Sequence, residues 1–168
     1  MTATTAHPYG EPIDHAAWKQ AISAFYEQGG NWPFAANVAL LRAVLTRIST
    51  DPAHWDQSAW SRVLSEIDKA SQGATCGTAY CVAGWATHLA GAIDDVASNG
   101  HLSGFVEFGG KSYSIETLAK RLLGVDPDEA SALFNAGNDA AAVWEAAEQI
   151  AACAGLELGV PLPAWATR

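Results

Sequence analysis

Two cysteines, a tryptophan and a histidine fall within one short stretch, CGTAYCVAGWATHLAG, from Cys76 to Gly91. Read as a helix, it places Cys81, Trp85 and His88 at i, i+4 and i+7, on one face. Tyr80, Gly84, Thr87 and Gly91 fall on a neighbouring face, where small residues admit another backbone. The simplest role for Cys81 is close packing, since cysteine is among the most buried residue types. Its sharper role is a nucleophile. With Thr78 (or Thr75) as cap, Cys81 sits in the first turn, where free N–H groups and the helix dipole favour a thiolate. Such chemistry needs a base. His88 lies about 10 Å further along the axis, so His101 is the candidate base and Asp94 or Asn99 the orienting group.

A metal site is the third reading. Cys76 and Cys81 have a tolerable zinc-ligand spacing, and His88, His101 or Cys153 would have to complete the set. There is no second tightly spaced pair, so no metal and no cofactor is expected. Nor is a Cys76–Cys81 disulfide, because on one helix the Cα atoms stand beyond the limit of about 7 Å. The chain lacks GxGxxG, GxxxxGK, HExxH and GxSxG, which argues against the commonest nucleotide, protease and esterase chemistries. Trp55, Trp60, Trp85 and His88 are the candidate binding residues. Trp55 and Trp60 read most simply as core or groove walls, and an aromatic pocket for a small ligand is the functional alternative. His7, His15 and His54 read as surface side chains.

These residues must be held by helices. Asp14 caps a helix to about Gln28, with Trp18, Ala21, Ile22 and Phe25 on one stripe and Tyr26 beside it, and Gly29-Gly30 stops it. Asn31 caps the next, with Trp32-Pro33 in its first turn and Val38, Leu41, Leu45 and Ile48 facing inward. Asp51-Pro52 opens a third, carrying Trp60, Val63, Leu64 and Ile67 to Gln72-Gly73. After the Cys76–Gly91 helix and an Asn99-Gly100 turn, two alternating runs around Gly109-Gly110 read as a β-hairpin. A helix from Ile115 stops at Gly124. Asp126-Pro127-Asp128-Glu129 is a capping box with proline in the first turn, and that helix runs to about Gly137. Asn138 or Asp139 caps a last helix to about Ala154, and Trp165 in the tail can dock back on the body.

The phrase Cys76-Gly77-Thr78, then Cys81, then Ala83-Gly84-Trp85-Ala86, resembles a family of small proteins encoded by actinobacterial phages and bacterial genomes. The likeness continues through Leu122-Leu123-Gly124-Val125 with Ala130 and Leu133-Phe134. Upstream it takes in Asp51-Pro52 and His54-Trp55-Asp56-Gln57 with Trp60. The resemblance implies a phage or prophage accessory protein in the cytoplasm, and it implies no mechanism.

At 168 residues the chain is long enough for one domain with a real core. Its net charge of -9 disfavours direct nucleic-acid binding or an anionic membrane surface. No run approaches the roughly 20 apolar residues of a membrane span. Residues 1–15 carry no apolar leader, and three cysteines fit a reducing cytoplasm. The expectation is therefore a mainly α, compact single-domain bundle of six or seven helices with one small β-hairpin. It covers residues 1–168, with 1–13 and 156–168 as extended tails. The expected function is phage-type, non-enzymatic binding to a host protein or a small ligand. The alternative is a cysteine-dependent hydrolase or transferase using Cys81.

Overall fold

The computed structural model describes residues 9–63, 78–96 and 102–167. Helix α1 (His15–Gln28) starts where Asp14 accepts hydrogen bonds from the Ala16 and Ala17 amides. Those N–H groups hold the Asp14 carboxyl below its usual pKa. Gly29, at φ 54°, ends the helix in the left-handed conformation. Helix α2 (Val38–Thr50) buries one face, with Leu40, Val44, Leu45 and Ile48 all sealed from solvent.

Helix α2 does not begin after Asn31 as expected. Its cap is Asn37, whose Oδ1 accepts from the Leu40 amide at 3.0 Å. The Asn37 Nδ2 donates to the Tyr9 carbonyl at 2.7 Å, and its backbone N–H to the Leu123 carbonyl. Residues 29–37 are instead non-helical, and tertiary contacts explain why. Trp32 donates its indole N–H to the Gly124 carbonyl at 2.9 Å and meets Trp18 edge-to-face at 5.0 Å. Neither contact is available to a side chain carried on a helix that started at Asn31 and ran on into α2.

Over residues 51–63 the third expected helix is also replaced. Pro52–His54 forms a single 3-10 turn. The chain then enters strand β1 (Ser61–Val63), antiparallel to β2 (Thr78–Tyr80), with Ser61 opposite Tyr80 and Val63 opposite Thr78. Leu64, Ile67 and Gln72-Gly73 lie outside the described residues. Helix α3 is shorter than the Cys76–Gly91 reading, running Val82–Leu89 with Cys81 as its cap. Thr78 is in β2, and Cys76 is outside the described residues. Residues Val82 to Thr87 are all buried.

Strand β3 (Ile93–Val96) follows, then β4 (Leu102–Phe108) and β5 (Lys111–Ser114). They form one antiparallel sheet in the order β3-β4-β5. The Gly109-Gly110 turn takes positive φ at both positions, 58° and 74°, as a two-residue hairpin requires. Helices α4 (Ile115–Leu123), α5 (Pro127–Phe134) and α6 (Ala140–Cys153) complete the chain, with a second 3-10 turn at Ala164–Thr167. The expected Gly124 stop and the Asp126/Glu129 capping box are both present. So is a cap at Asp139.

The fold is therefore mixed α and β, with two antiparallel sheets among the described residues. It is not the expected mainly α bundle with one hairpin, and it is not all-α. The reason is length: β1, β2 and β3 have three or four residues each, too short for a period-2 signal. The carboxy-terminal tail is fastened along its length. Arg42 donates to the Glu157 and Leu158 carbonyls, Trp144 to Val160 and Trp165 to Ser49.

Residues 51–63 lie tightly across the start of α3. Gln57 is buried and uses both ends of its amide. Its Nε2 donates to the Leu133 and Asn135 carbonyls, and its Oε1 accepts from the Val82 amide and the Trp55 indole. A Cβ on Gly84 would sit 2.0 Å from the Trp60 carbonyl oxygen. The expected close approach at Gly84 thus exists, and the approaching backbone is the loop before β1, not a crossing helix. Gly84→Ala should cost about 3 kcal/mol by overpacking, measured by urea unfolding. An unchanged midpoint would disprove the close approach. Gln57→Leu should cost a similar amount, about 3 kcal/mol, because it strands buried amide and carbonyl groups. A loss below about 1 kcal/mol would show that those groups find other partners.

Candidate functional site

Cys81 stands at the point where β2 turns into α3. Its Sγ accepts from the Gly84 amide at 3.4 Å and lies 3.8 Å from the Trp60 carbonyl as a donor. The residue is 1 % exposed. Burial pushes the thiol up to about 11, outweighing the Gly84 and Ala83 amides that pull the other way. A nucleophilic cysteine needs the thiolate and access to it, and Cys81 has neither. Of the other two members of the catalytic set, only Asp94 is described. Asp94 accepts from the Tyr80 hydroxyl at 2.6 Å, and His101 lies outside the described residues.

The candidate binding residues separate into three places. Trp85 and His88 come together at the outer end of α3. The exposed His88 ring stacks on Tyr80 at 5.0 Å and meets Trp85 edge-on at 5.5 Å. Trp85 itself is buried and donates its indole N–H to the His54 carbonyl at 3.2 Å. Trp55 packs against Trp165, with ring centroids 5.9 Å apart. Trp60, 37 % exposed, meets Phe134 edge-to-face. A single aromatic pocket is not formed by these four.

Around Trp85 the structure adds residues that the sequence reading passed over. The Arg47 guanidinium lies 5.0 Å above the Trp85 ring, a cation–π distance. Arg47 also pairs with Asp51 at 2.8 Å, and the other Asp51 oxygen meets His54 Nδ1 at 2.7 Å. His54 is buried, not at the surface, and His7 lies outside the described residues. The i, i+3 spacing of Asp51 and His54 across a proline turn was the available signal for this contact. Tyr80 was placed on a packing face, and its bond to Asp94 depends on β3, which the sequence did not reveal.

A third surface is the outer face of the three-stranded sheet. Ile93 is 69 % exposed and Phe105 48 %, whereas Val96, also exposed, pairs with Leu102 and so lies on the opposite face, with Val106. Ile93 pairs with Glu107, and Glu107 with Ser112, so these line up across the sheet. Val106, one residue along, points into the core. A shallow hollow of about 430 Å³ here is lined by Ile93, Asp94, Asp95, Glu107, Lys111 and Ser112 among others. Among the described residues, no strand pairs with the far edge of β3.

Among the described residues, no three His, Cys, Asp or Glu side chains gather as a metal site. No described helix is long and apolar enough to cross a membrane. The site and the fold thus define a mixed α/β domain with a sealed cysteine and an acidic, partly apolar sheet face. No family profile, curated protein or solved structure matches the chain.

Cys81 should resist a small alkylating agent from pH 5 to 9 in the native state and react promptly once urea unfolds the chain. Mass spectrometry locates the label, with the exposed Cys153 as internal positive control. Rapid native labelling of Cys81 with a midpoint near pH 6 would refute the sealed site.

Proposed function

We propose that this chain is a non-enzymatic, phage-type accessory protein that binds a basic host-protein segment over the outer face of its three-stranded sheet. The observation that carries this is the exposure of Ile93 and Phe105 beside Asp95 and Glu107 on one face of the sheet. Apolar side chains beside an excess of acidic groups, here Asp94, Asp95 and Glu107 against Lys111, favour a partner of net positive charge. The net charge of -9 acts in the same direction and repels nucleic acid and anionic lipid. A second copy of the chain suits the β3 edge poorly, because antiparallel self-pairing would set Asp94 and Asp95 against their own counterparts. The phage setting and the host cytoplasm follow from the resemblance of the Cys-Gly-Thr phrase. The sealed, neutral Cys81 supports binding over cysteine catalysis.

The test is site-specific photo-crosslinking in host cells. A photoreactive side chain at Phe105 should give a discrete adduct with one basic protein. The same side chain at Glu145, exposed on α6, should not. Adding Ile93→Asp should abolish the Phe105 adduct without lowering the melting temperature. Equal adducts at both positions, or an adduct indifferent to Ile93→Asp, would refute the sheet face as the interface.

A further inference from the structure

The groove between residues 31–36, the start of α5 and the end of α6 has a volume of about 590 Å³. That lies within the usual range for small-ligand sites, about 300–1,000 Å³. Trp32 and Phe34 line it together with Asp126 and Glu129, and no cationic side chain is among its lining residues. The capping box occupies one oxygen of each carboxylate: Asp126 Oδ1 takes the Glu129 amide, and Glu129 Oε2 takes the Asp126 amide. Among the described residues, no hydrogen bond engages the remaining oxygens, Asp126 Oδ2 and Glu129 Oε1.

We propose that this groove is a binding site for an organic ammonium ion. Trp32 and Phe34 supply the aromatic surfaces, and Asp126 and Glu129 the compensating charge.

Three features suit that ligand. Aromatic rings attract a diffuse cation through their quadrupole, and the attraction grows when the cation is already poorly hydrated. Hard divalent ions want six or more oxygens, and this groove has two carboxylates between aromatic and aliphatic walls. The Glu129 carboxyl is raised by burial, so its negative charge is under-solvated and a cation beside it relieves that cost. The walls are also held in place before any ligand arrives. The Trp32 indole is bonded to the Gly124 carbonyl, and a Cβ on Gly124 would fall 2.6 Å from the Ala35 carbonyl. Close backbone contact thus fixes residues 32–36 against the end of α4. The site is separate from the sheet face, so the two proposals stand or fall independently.

Choline is the probe, with its neutral isostere 3,3-dimethylbutan-1-ol as control, followed in two-dimensional NMR spectra of the full chain. Choline should shift the Trp32 indole N–H and the Ala35 and Ala154 amides saturably, with a Kd on the order of a millimolar. The isostere should bind about tenfold more weakly or worse. Glu129→Gln keeps an acceptor for the capping box and should weaken choline about tenfold while leaving the isostere unchanged. Phe34→Leu retains an apolar wall without a π-face and should weaken choline in the same way. A short peptide carrying trimethyllysine distinguishes the source of the ammonium group. Tighter binding than choline assigns it to a protein side chain, and equal or weaker binding to a free small molecule. No saturable shift with either ammonium probe would overturn the proposal. So would equal binding of the isostere, or choline binding indifferent to both substitutions in folded variants.

Discussion

The structure depends on the amide of Gln57. It is one side chain joining three segments far apart in sequence: the loop after Pro52–His54, the first turn of α3 and the end of α5. A buried amide with half its bonds made would cost more than an apolar residue in its place. The arrangement therefore works only when all three segments are present together. Once Gln57 is seated, the chain beyond it runs close to α3, with Ala59 accepting from the Cys81 amide at 3.1 Å. That closeness excludes a side chain at residue 84 and seals the thiol of Cys81. The feature that most invited a catalytic reading is thus part of a packing joint.

Charge is distributed in a related way. Among the described residues, three arginines are engaged in holding the fold together. Arg42 clamps the carboxy-terminal segment. Arg47 sits over Trp85 and pairs with Asp51. Arg121, 5 % exposed, donates to the Ile13 carbonyl and lies over the Tyr113 ring. These cations do not offset the acids around the sheet or in the groove beside Trp32. The groove keeps its two acids without a lining cation, the sheet hollow has three acids against Lys111, and both proposals draw on that acidic excess. Specificity then comes from where the apolar side chains lie: on a flat sheet for a protein segment, and in a concave aromatic groove for a small cation.

Several local signals survived where the chemistry closes within about four residues. Asp14, Asp126 with Glu129, and Asp139 cap the helices assigned to them because each carboxylate reaches an amide two or three residues on. Gly124 and Gly109-Gly110 take the positive φ that other residues resist. Helix α2 shows its buried face in the spacing of Val38, Leu41, Leu45 and Ile48. These features follow from side-chain reach and steric restriction, which the sequence carries directly.

Tertiary structure decided the rest. Asn31 and Asn37 are equally good caps in isolation, and the Trp32 bond to Gly124 chose between them. Thr78-Ala79-Tyr80 became a strand because Ser61–Val63 lay alongside, and Ile93–Val96 because β4 did. His54 was buried, its carbonyl bonded to Trp85 of α3, a contact that no local pattern announces. The candidate tryptophans went to separate places for the same reason. A tryptophan's type says that it will be buried against something, but its partner is set by the path of the whole backbone. The sequence by itself determined the helix starts at Asp14, Asp126 and Asp139, the stops at Gly29 and Gly124, and that Gly84 must face a close neighbour. Only the tertiary structure decided which neighbour that is, because strand pairing and ring packing join residues whose separation leaves no local trace.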